Sequence, residues 1–159
     1  MTRLEVHATV AHDQPVPTGA SRLRLDGDGL APSTQLTWRV DGTVDHALAL
    51  AASVPATRTK VEVDAAAGWD GPVLYAELHA LVRTDRLDDL DRVARAHGAR
   101  LSRRDRRAGE RFVNLRAGTI DAFDPLLAAL AAAGFDVVEL HRELVLVDTD
   151  LDHDWLPVR

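Results

Sequence analysis

Short runs in which apolar and polar residues alternate recur along this 159-residue chain. The period of two is that of a β-strand with one face buried and the other open to water. It predicts strands over EVHATV (5–10), KVEVD (60–64), PVLYAELHALVR (72–83) and FDVVELHRELVLV (135–147). Apolar residues three and four apart predict helices over TDRLDDLDRVARAHG (84–98) and DAFDPLLAALAAAG (121–134).

The order of these elements indicates an internal duplication. In the second half, ARLSRR (99–104) and RFVNLRA (111–117) complete the order β-α-β-β-α-β, which is that of a ferredoxin-like domain. In the first half, EVHATV matches ELHALV (77–82), GTVD (42–45) matches GTID (118–121), and KVEVD matches VVELH (137–141). One helix is missing there, and a loop rich in Pro, Gly and Ser takes its place over 11–33.

We therefore predict an α+β fold of two tandem ferredoxin-like repeats. The first repeat is degenerate and covers 1–66, the second is complete and covers 72–148, and a tail follows over 149–159. In a ferredoxin-like sheet the helices cover one face only. The two helix-free faces either pack together and enclose a cleft, or remain open to water as an ordinary amphipathic sheet.

The period of two assigns a set of ionisable residues to the helix-free faces. They are Glu5, His7, Arg39, Lys60, Glu62 and Asp64 in the first half, and Tyr75, Glu77, His79, Arg116, Glu139, His141 and Glu143 in the second. Alignment of the repeats matches the pair Glu5 and His7 with Glu77 and His79, and matches Glu62 with Glu139.

Imidazole and carboxylate groups on one surface predict a metal or acid–base centre. The candidate metal ligands are Glu77, His79, Glu139 and His141, with Glu143, Glu5, His7 and Glu62 nearby. This mixture suits zinc, manganese or non-haem iron. His79, His141 and Glu77 are also candidates for general acid–base catalysis. Arg39, Arg116 and Tyr75 are candidates for binding a substrate, in which the two guanidinium groups hold an anion.

The same residues also fit a purely structural interpretation. Oppositely charged side chains on neighbouring strands form cross-strand ion pairs, each worth about 0.2–1 kcal/mol. The chain carries no tight metal motif such as H-E-x-x-H. The sequence therefore leaves a ligand site and an ion-pair network open as alternatives.

Composition excludes several classes of function. A formal net charge of −6 argues against nucleic-acid binding. The arginine-rich hairpin over 100–111 lacks the interleaved aromatic residues of an RNA-reading surface, which favours a solvated hairpin. No apolar run approaches the length of a membrane span. The absence of cysteine excludes disulfides and thiolate chemistry, and we expect a cytoplasmic protein.

We expect a small-molecule-binding protein or an enzyme that uses a cleft lined by Glu, His and Arg, with one divalent metal ion as the candidate cofactor. The alternative is a non-catalytic assembly module that forms a homodimer through its sheet faces. Trp155 and Leu156, in the acidic tail, would then supply an apolar docking contact.

Overall fold

A computed structural model describes residues 2–11, 13–25, 33–103 and 109–150. These residues contain eight strands, three α-helices and two short 3₁₀ turns. The strands are β1 (Arg3–Val10), β2 (Ser21–Leu25), β3 (Ser33–Asp41), β4 (Arg58–Asp64), β5 (Tyr75–Arg83), β6 (Arg100–Arg103), β7 (Glu110–Ala117) and β8 (Val137–Asp148). The helices are α1 (Val44–Ala51), α2 (Leu87–Ala96) and α3 (Asp124–Ala132), and the turns are Ala65–Ala67 and Ile120–Phe123.

The fold is mixed α+β and is dominated by one antiparallel sheet. Its strand order is β2-β3-β1-β4-β8-β5-β7-β6, and every neighbouring pair is antiparallel. Each half contributes four adjacent strands. The halves meet at the centre, where β4 pairs with the last six residues of β8, from Glu143 to Asp148.

The two halves join edge to edge: backbone hydrogen bonding between β4 and β8 makes them one continuous sheet. Each of these strands would otherwise leave backbone groups unpaired at the edge of its half, and their pairing satisfies these groups over Lys60–Asp64 and Glu143–Asp148. The predicted polar residues of both halves therefore share one face, which we call the polar face.

Two apolar clusters lie on the opposite, helix-covered face. In the first half, residues of β1, β3 and β4 such as Leu4, Val6, Leu36, Val61 and Val63 pack with Ala47 and Ala51 of α1. In the second half, residues such as Leu78, Val82 and Val113 pack with Leu90, Leu126 and Leu130 of α2 and α3. Leu144 of β8 packs against both clusters. The inner faces of β1, β4, β5 and β7 agree with the predicted period of two.

The helix boundaries follow local rules. Gly98 and Gly134 come shortly after α2 and α3 and have φ of 72° and 73°, a left-handed conformation that ends a helix at little steric cost. Pro125 stands in the first turn of α3, where it removes no intrahelical bond. The described residues 13–20 contain turns and no helix, and the strand β2 lies within the span 11–33 that the sequence predicts as a loop.

Two residues of β8 that the pattern places among the buried ones are exposed. Val138 and Leu140 are 49% and 43% accessible and lie outside both clusters. The pairing of β5 with β8 is irregular beside them, between Leu81 and Val82. No helix in the described part of the chain is long and apolar enough to span a bilayer.

Candidate metal centre

Each half of the polar face brings one histidine and two glutamates together. In the first half these are Glu5, His7 and Glu62, which we call the N-terminal trio; in the second they are Glu77, His79 and Glu143, the C-terminal trio. In each trio, one nitrogen or oxygen atom per residue lies within 4.8 Å of the others. A Glu-x-His segment on one strand faces a glutamate directly across on the next strand, Glu5 opposite Glu62 and Glu77 opposite Glu143.

The C-terminal trio directs one ring nitrogen of His79 at both carboxylates. Nε2 of His79 lies 3.4 Å from Oε2 of Glu77 and 3.3 Å from Oε2 of Glu143. The Glu77 side chain is only 3% exposed, while those of His79 and Glu143 are 28% and 17% exposed. Glu77 of the trio is therefore buried, whereas His79 and Glu143 are partly accessible to solvent.

Asn114 fixes the orientation of the His79 ring. Nδ1 of His79 lies 2.7 Å from Oδ1 of Asn114, the residue opposite it on β7. Nδ2 of the same amide donates to Oγ of Ser102 at 2.9 Å and to the carbonyl of Arg100 at 3.3 Å. Those acceptors require the amide nitrogen on their side, so Oδ1 must face the imidazole. Nδ1 of His79 therefore carries a proton, and Nε2 is the nitrogen that can accept a metal ion.

In the N-terminal trio, the proton of the neutral histidine lies on the other ring nitrogen, Nε2. Nε2 of His7 bonds to Oε1 of Glu62, a carboxylate that can only accept, so Nε2 carries the proton. Nδ1 accepts from Nε2 of Gln35 and lies 2.9 Å from the hydroxyl of Thr37. The two trios thus share a geometry and differ in which nitrogen is free of hydrogen when the ring is neutral.

Lys60 connects the two trios across β8. Its Nζ lies 2.5 Å from Oε2 of Glu62 and 2.5 Å from Oε2 of Glu77. Each half adds an arginine at the same relative position: Nε of Arg39 donates to Glu5, and Nε of Arg116 donates to Glu77, both at 2.6 Å. Among the described residues, three permanent cations therefore contact the trio carboxylates Glu5, Glu62 and Glu77.

These contacts shift the pKa values of the buried groups. Burial alone would raise the pKa of Glu77, but Lys60, His79 and Arg116 hold it well below its usual range. Lys60 and His7 likewise overcome burial and lower the pKa of Glu62. Burial would lower the pKa of His79, yet hydrogen bonding to Glu143 and Glu77 raises it to about 10. His79 is thus an imidazolium at neutral pH unless another cation replaces its Nε2 proton.

The four predicted metal ligands do not all meet. Glu77 and His79 lie in the C-terminal trio, whereas Glu139 and His141 form a separate pair, with Nε2 of His141 2.8 Å from Oε1 of Glu139. The side chain of His141 is 48% exposed, and the residue lies opposite His79 on the neighbouring strand. Glu143, predicted only as a nearby residue, is the third member of the trio.

The predicted substrate-binding residues lie in different surroundings. Tyr75 is buried and donates its hydroxyl to Asp148, which also accepts from Arg58. Arg116 lies over the Tyr75 ring, 5.1 Å from its centroid. Arg39 is in the other half, with a side chain that is 69% exposed. The roles assigned to these three residues, and catalysis by His79, His141 or Glu77, stay predictions.

Lys60, Asn114 and Asp148 are among the residues of this face that sequence reasoning did not single out for a role. The alternation of β4 and β7 places Lys60 and Asn114 on the polar face, but their partners depend on which strands are neighbours. Trp155, Leu156 and residues 104–108 of the arginine-rich segment fall outside the described residues. Comparison with protein-family models, curated proteins and solved structures finds no match to this chain.

Proposed function

We propose that the protein binds a divalent transition-metal ion through Nε2 of His79 and the carboxylates of Glu77 and Glu143. The observation that carries the proposal is the hydrogen bond from Nδ1 of His79 to Asn114, which turns Nε2 toward both carboxylates. Metal-binding histidines characteristically donate their other ring N–H to an oriented acceptor. One imidazole with two carboxylates suits zinc and manganese.

A centre with three protein ligands would also serve a small-molecule ligand. Zinc sites of this kind keep one coordination position for water or for a bound molecule. The partial exposure of His79 and Glu143 supports access from solvent. We therefore propose that a small molecule with an oxygen or nitrogen donor binds to the metal ion on the polar face.

We further propose that the two halves are ferredoxin-like repeats, the first without its first helix. Support comes from the strand order, since β2-β3-β1-β4 and β6-β7-β5-β8 list equivalent strands in the same sequence. The two trios then occupy equivalent positions. Only in the second does the neutral histidine leave the nitrogen that faces the carboxylates free of hydrogen, so the first trio serves as the control in binding experiments.

Isothermal titration calorimetry with Mn²⁺ and Zn²⁺, on protein first treated with chelator, tests the proposal. We expect one saturable site of the wild-type protein and a loss of affinity of about a hundredfold or more in His79→Gln, because a direct ligand is removed. The matched variant His7→Gln should bind the ion with unchanged affinity. Equal losses in both variants, or no binding by the wild type, would contradict the proposal.

The pH dependence of the same titration has a definite sign. Because the pKa of His79 is raised to about 10, a metal ion at Nε2 must displace a proton at neutral pH. One displaced proton predicts an affinity that rises about tenfold per pH unit from about pH 6 to about pH 8. An affinity that is independent of pH over this range would place the ion at other ligands.

A structural ion-pair network in a non-catalytic assembly module is the second candidate function. The position of Lys60, 2.5 Å from a carboxylate in each half, favours it, because an ammonium group already neutralises Glu77. Lys60→Met separates the candidates. If the trio binds metal, removal of a competing cation strengthens binding; if the network is structural, neither protein binds metal and the variant only loses stability.

A further inference from the structure

Four side chains of the kinds that ligate metal ions form a two-by-two block on the polar face. β5 contributes Glu77 and His79. β8 contributes Glu143, directly opposite Glu77, and His141, directly opposite His79. Opposite residues of an antiparallel pair share a face and have Cβ atoms about 4.5–5.5 Å apart. Three corners of the block are the C-terminal trio, so the imidazole at the fourth corner lies next to the proposed metal position.

The side chain of His141 has the length needed to reach that position. It bonds to Glu139, two residues back along β8, with Nε2 2.8 Å from Oε1. Glu143 lies two residues along the same strand in the other direction, so rotation about the Cα–Cβ bond directs the ring at the trio instead. The side chain is 48% exposed, so packing does not fix the ring. Glu139 has a further interaction besides this one and keeps a partner when His141 turns away.

The corresponding corner in the first half shows that a side chain at this place contacts a trio carboxylate. There Lys60 lies opposite His7, on the strand that carries Glu62. Its Nζ is 2.5 Å from Oε2 of Glu62, two residues along the same strand. An ammonium group has no lone pair for a metal ion, whereas a neutral imidazole has one. Of the two halves, only the second therefore has a metal-ligating group at all four corners.

We propose that His141 is a fourth, exchangeable protein ligand of the metal ion. In the absence of a small molecule it turns from Glu139 and completes a set of two imidazoles and two carboxylates. Four protein ligands suit tetrahedral zinc, and a second imidazole favours zinc over magnesium and calcium. The inference rests on the proposed metal site and adds a ligand to it.

Exchange of this ligand restricts the molecules that bind. Imidazole is a good ligand of zinc, so His141 holds the fourth position against water. A molecule must therefore offer a donor that competes with imidazole, such as a nitrogen heterocycle or an anionic oxygen group. When such a molecule binds to the metal ion, His141 is displaced and returns to Glu139.

Isothermal titration calorimetry with Zn²⁺, at about pH 8 on protein treated with chelator, tests the inference with a matched pair of variants. His141→Ala removes the fourth ligand and should lower the affinity for Zn²⁺ about tenfold or more. Glu139→Ala removes a partner of His141 but none of the proposed ligands, so its affinity for Zn²⁺ should not fall.

Imidazole, added to the Co²⁺-loaded proteins and followed by visible absorption, gives a second readout. In His141→Ala no side chain has to be displaced, so imidazole should bind about tenfold or more tightly than in the wild type. The gain in imidazole affinity should equal the loss of metal affinity, because both report the same equilibrium of His141 between Glu139 and the metal ion.

Failure of this inference is distinct from failure of the metal site. If His79→Gln loses Zn²⁺ binding while His141→Ala keeps the wild-type affinity and the wild-type response to imidazole, His141 is not a ligand. Equal losses in His141→Ala and Glu139→Ala would overturn the inference as well. A wild type that binds no Zn²⁺ would overturn the proposed site together with it. Both substituted side chains are at least 38% exposed, so both variants should fold, and thermal unfolding checks this.

Discussion

Lys60 is a side chain that contacts both halves of the polar face. From β4 it reaches a carboxylate in each trio, Glu62 in its own strand and Glu77 two strands away. The sequence places Lys60 on the correct face because a strand alternates strictly. Its contact with Glu77 could not be predicted, since it exists only because β4 and β5 flank the same strand.

The third member of the C-terminal trio, Glu143, also could not be predicted from the sequence alone. Sequence alignment matches Glu62 with Glu139, whereas the strand pairing makes Glu143 its counterpart, four residues further along. A slip of four residues leaves every side chain of a strand on its original face. Alternation therefore predicts the face and not the register, and Glu139 and Glu143 fit it equally well.

The shifted pKa values predict how stability depends on pH. Protonated His79 has a folded-state pKa of about 10, above its unfolded value of about 6.5. Its contribution to the free energy of unfolding is complete below about pH 6.5 and is lost as the pH rises toward 10. Glu62 and Glu77 have lowered pKa values, so their contribution exists above about pH 4.3 and is lost in acid.

Urea unfolding in the presence of chelator, from about pH 3 to about pH 10, measures the loss of stability in acid and in alkali; the pKa values of these groups set this range. We expect maximal stability near about pH 5–6.5, with a decline on each side. In His79→Gln the alkaline decline should flatten while the acid limb remains. An alkaline limb that is unchanged in this variant would show that the imidazolium does not stabilise the fold.

At the scale of elements, β8 is where the two halves are joined. The alternation of FDVVELHRELVLV predicts a strand, and the strand is there, but its two lateral neighbours come from different halves of the chain. Pairing between the halves does not change the alternation of apolar and polar residues along a strand. That is why the elements of each half follow from the sequence while the edge-to-edge pairing of β4 with β8 does not.

Leu144 carries the packing between the halves and offers a matched pair of substitutions on one strand. Leu144 packs against both apolar clusters, whereas Leu140 is 43% exposed and outside them. Leu144→Ala should lower the free energy of unfolding by about 1–3 kcal/mol. Leu140→Ala should change it by less than about 0.5 kcal/mol, because the side chain is already exposed.

Urea unfolding of both variants, with the wild type as reference, checks this prediction. Because Leu144 touches both clusters, we also expect the m-value to stay that of the whole chain, with one transition. Equal effects of the two substitutions would indicate that the halves hold together through backbone pairing alone.

At the scale of the whole molecule, joining two half-sheets edge to edge sets two His/Glu trios on the polar face of one sheet. The sequence could predict the composition of that surface, since period two and the repeat assign its residues. It could not predict which ring nitrogen of each histidine carries the proton. That depends on Asn114 of β7 for His79, and on Gln35 and Thr37 of β3 for His7. Those bonds distinguish the trio proposed to bind metal from its counterpart.

The central claim is that the C-terminal trio binds a divalent ion, and anomalous X-ray scattering tests it most directly. Crystals equilibrated with Zn²⁺ at about pH 8, where proton competition at His79 is reduced, would be measured at the zinc edge. We predict a peak about 2.0–2.2 Å from Nε2 of His79 and from oxygens of Glu77 and Glu143, absent in His79→Gln. No peak at that position, with Lys60 still bridging Glu62 and Glu77, would contradict the claim and leave the polar face as an ion-pair network.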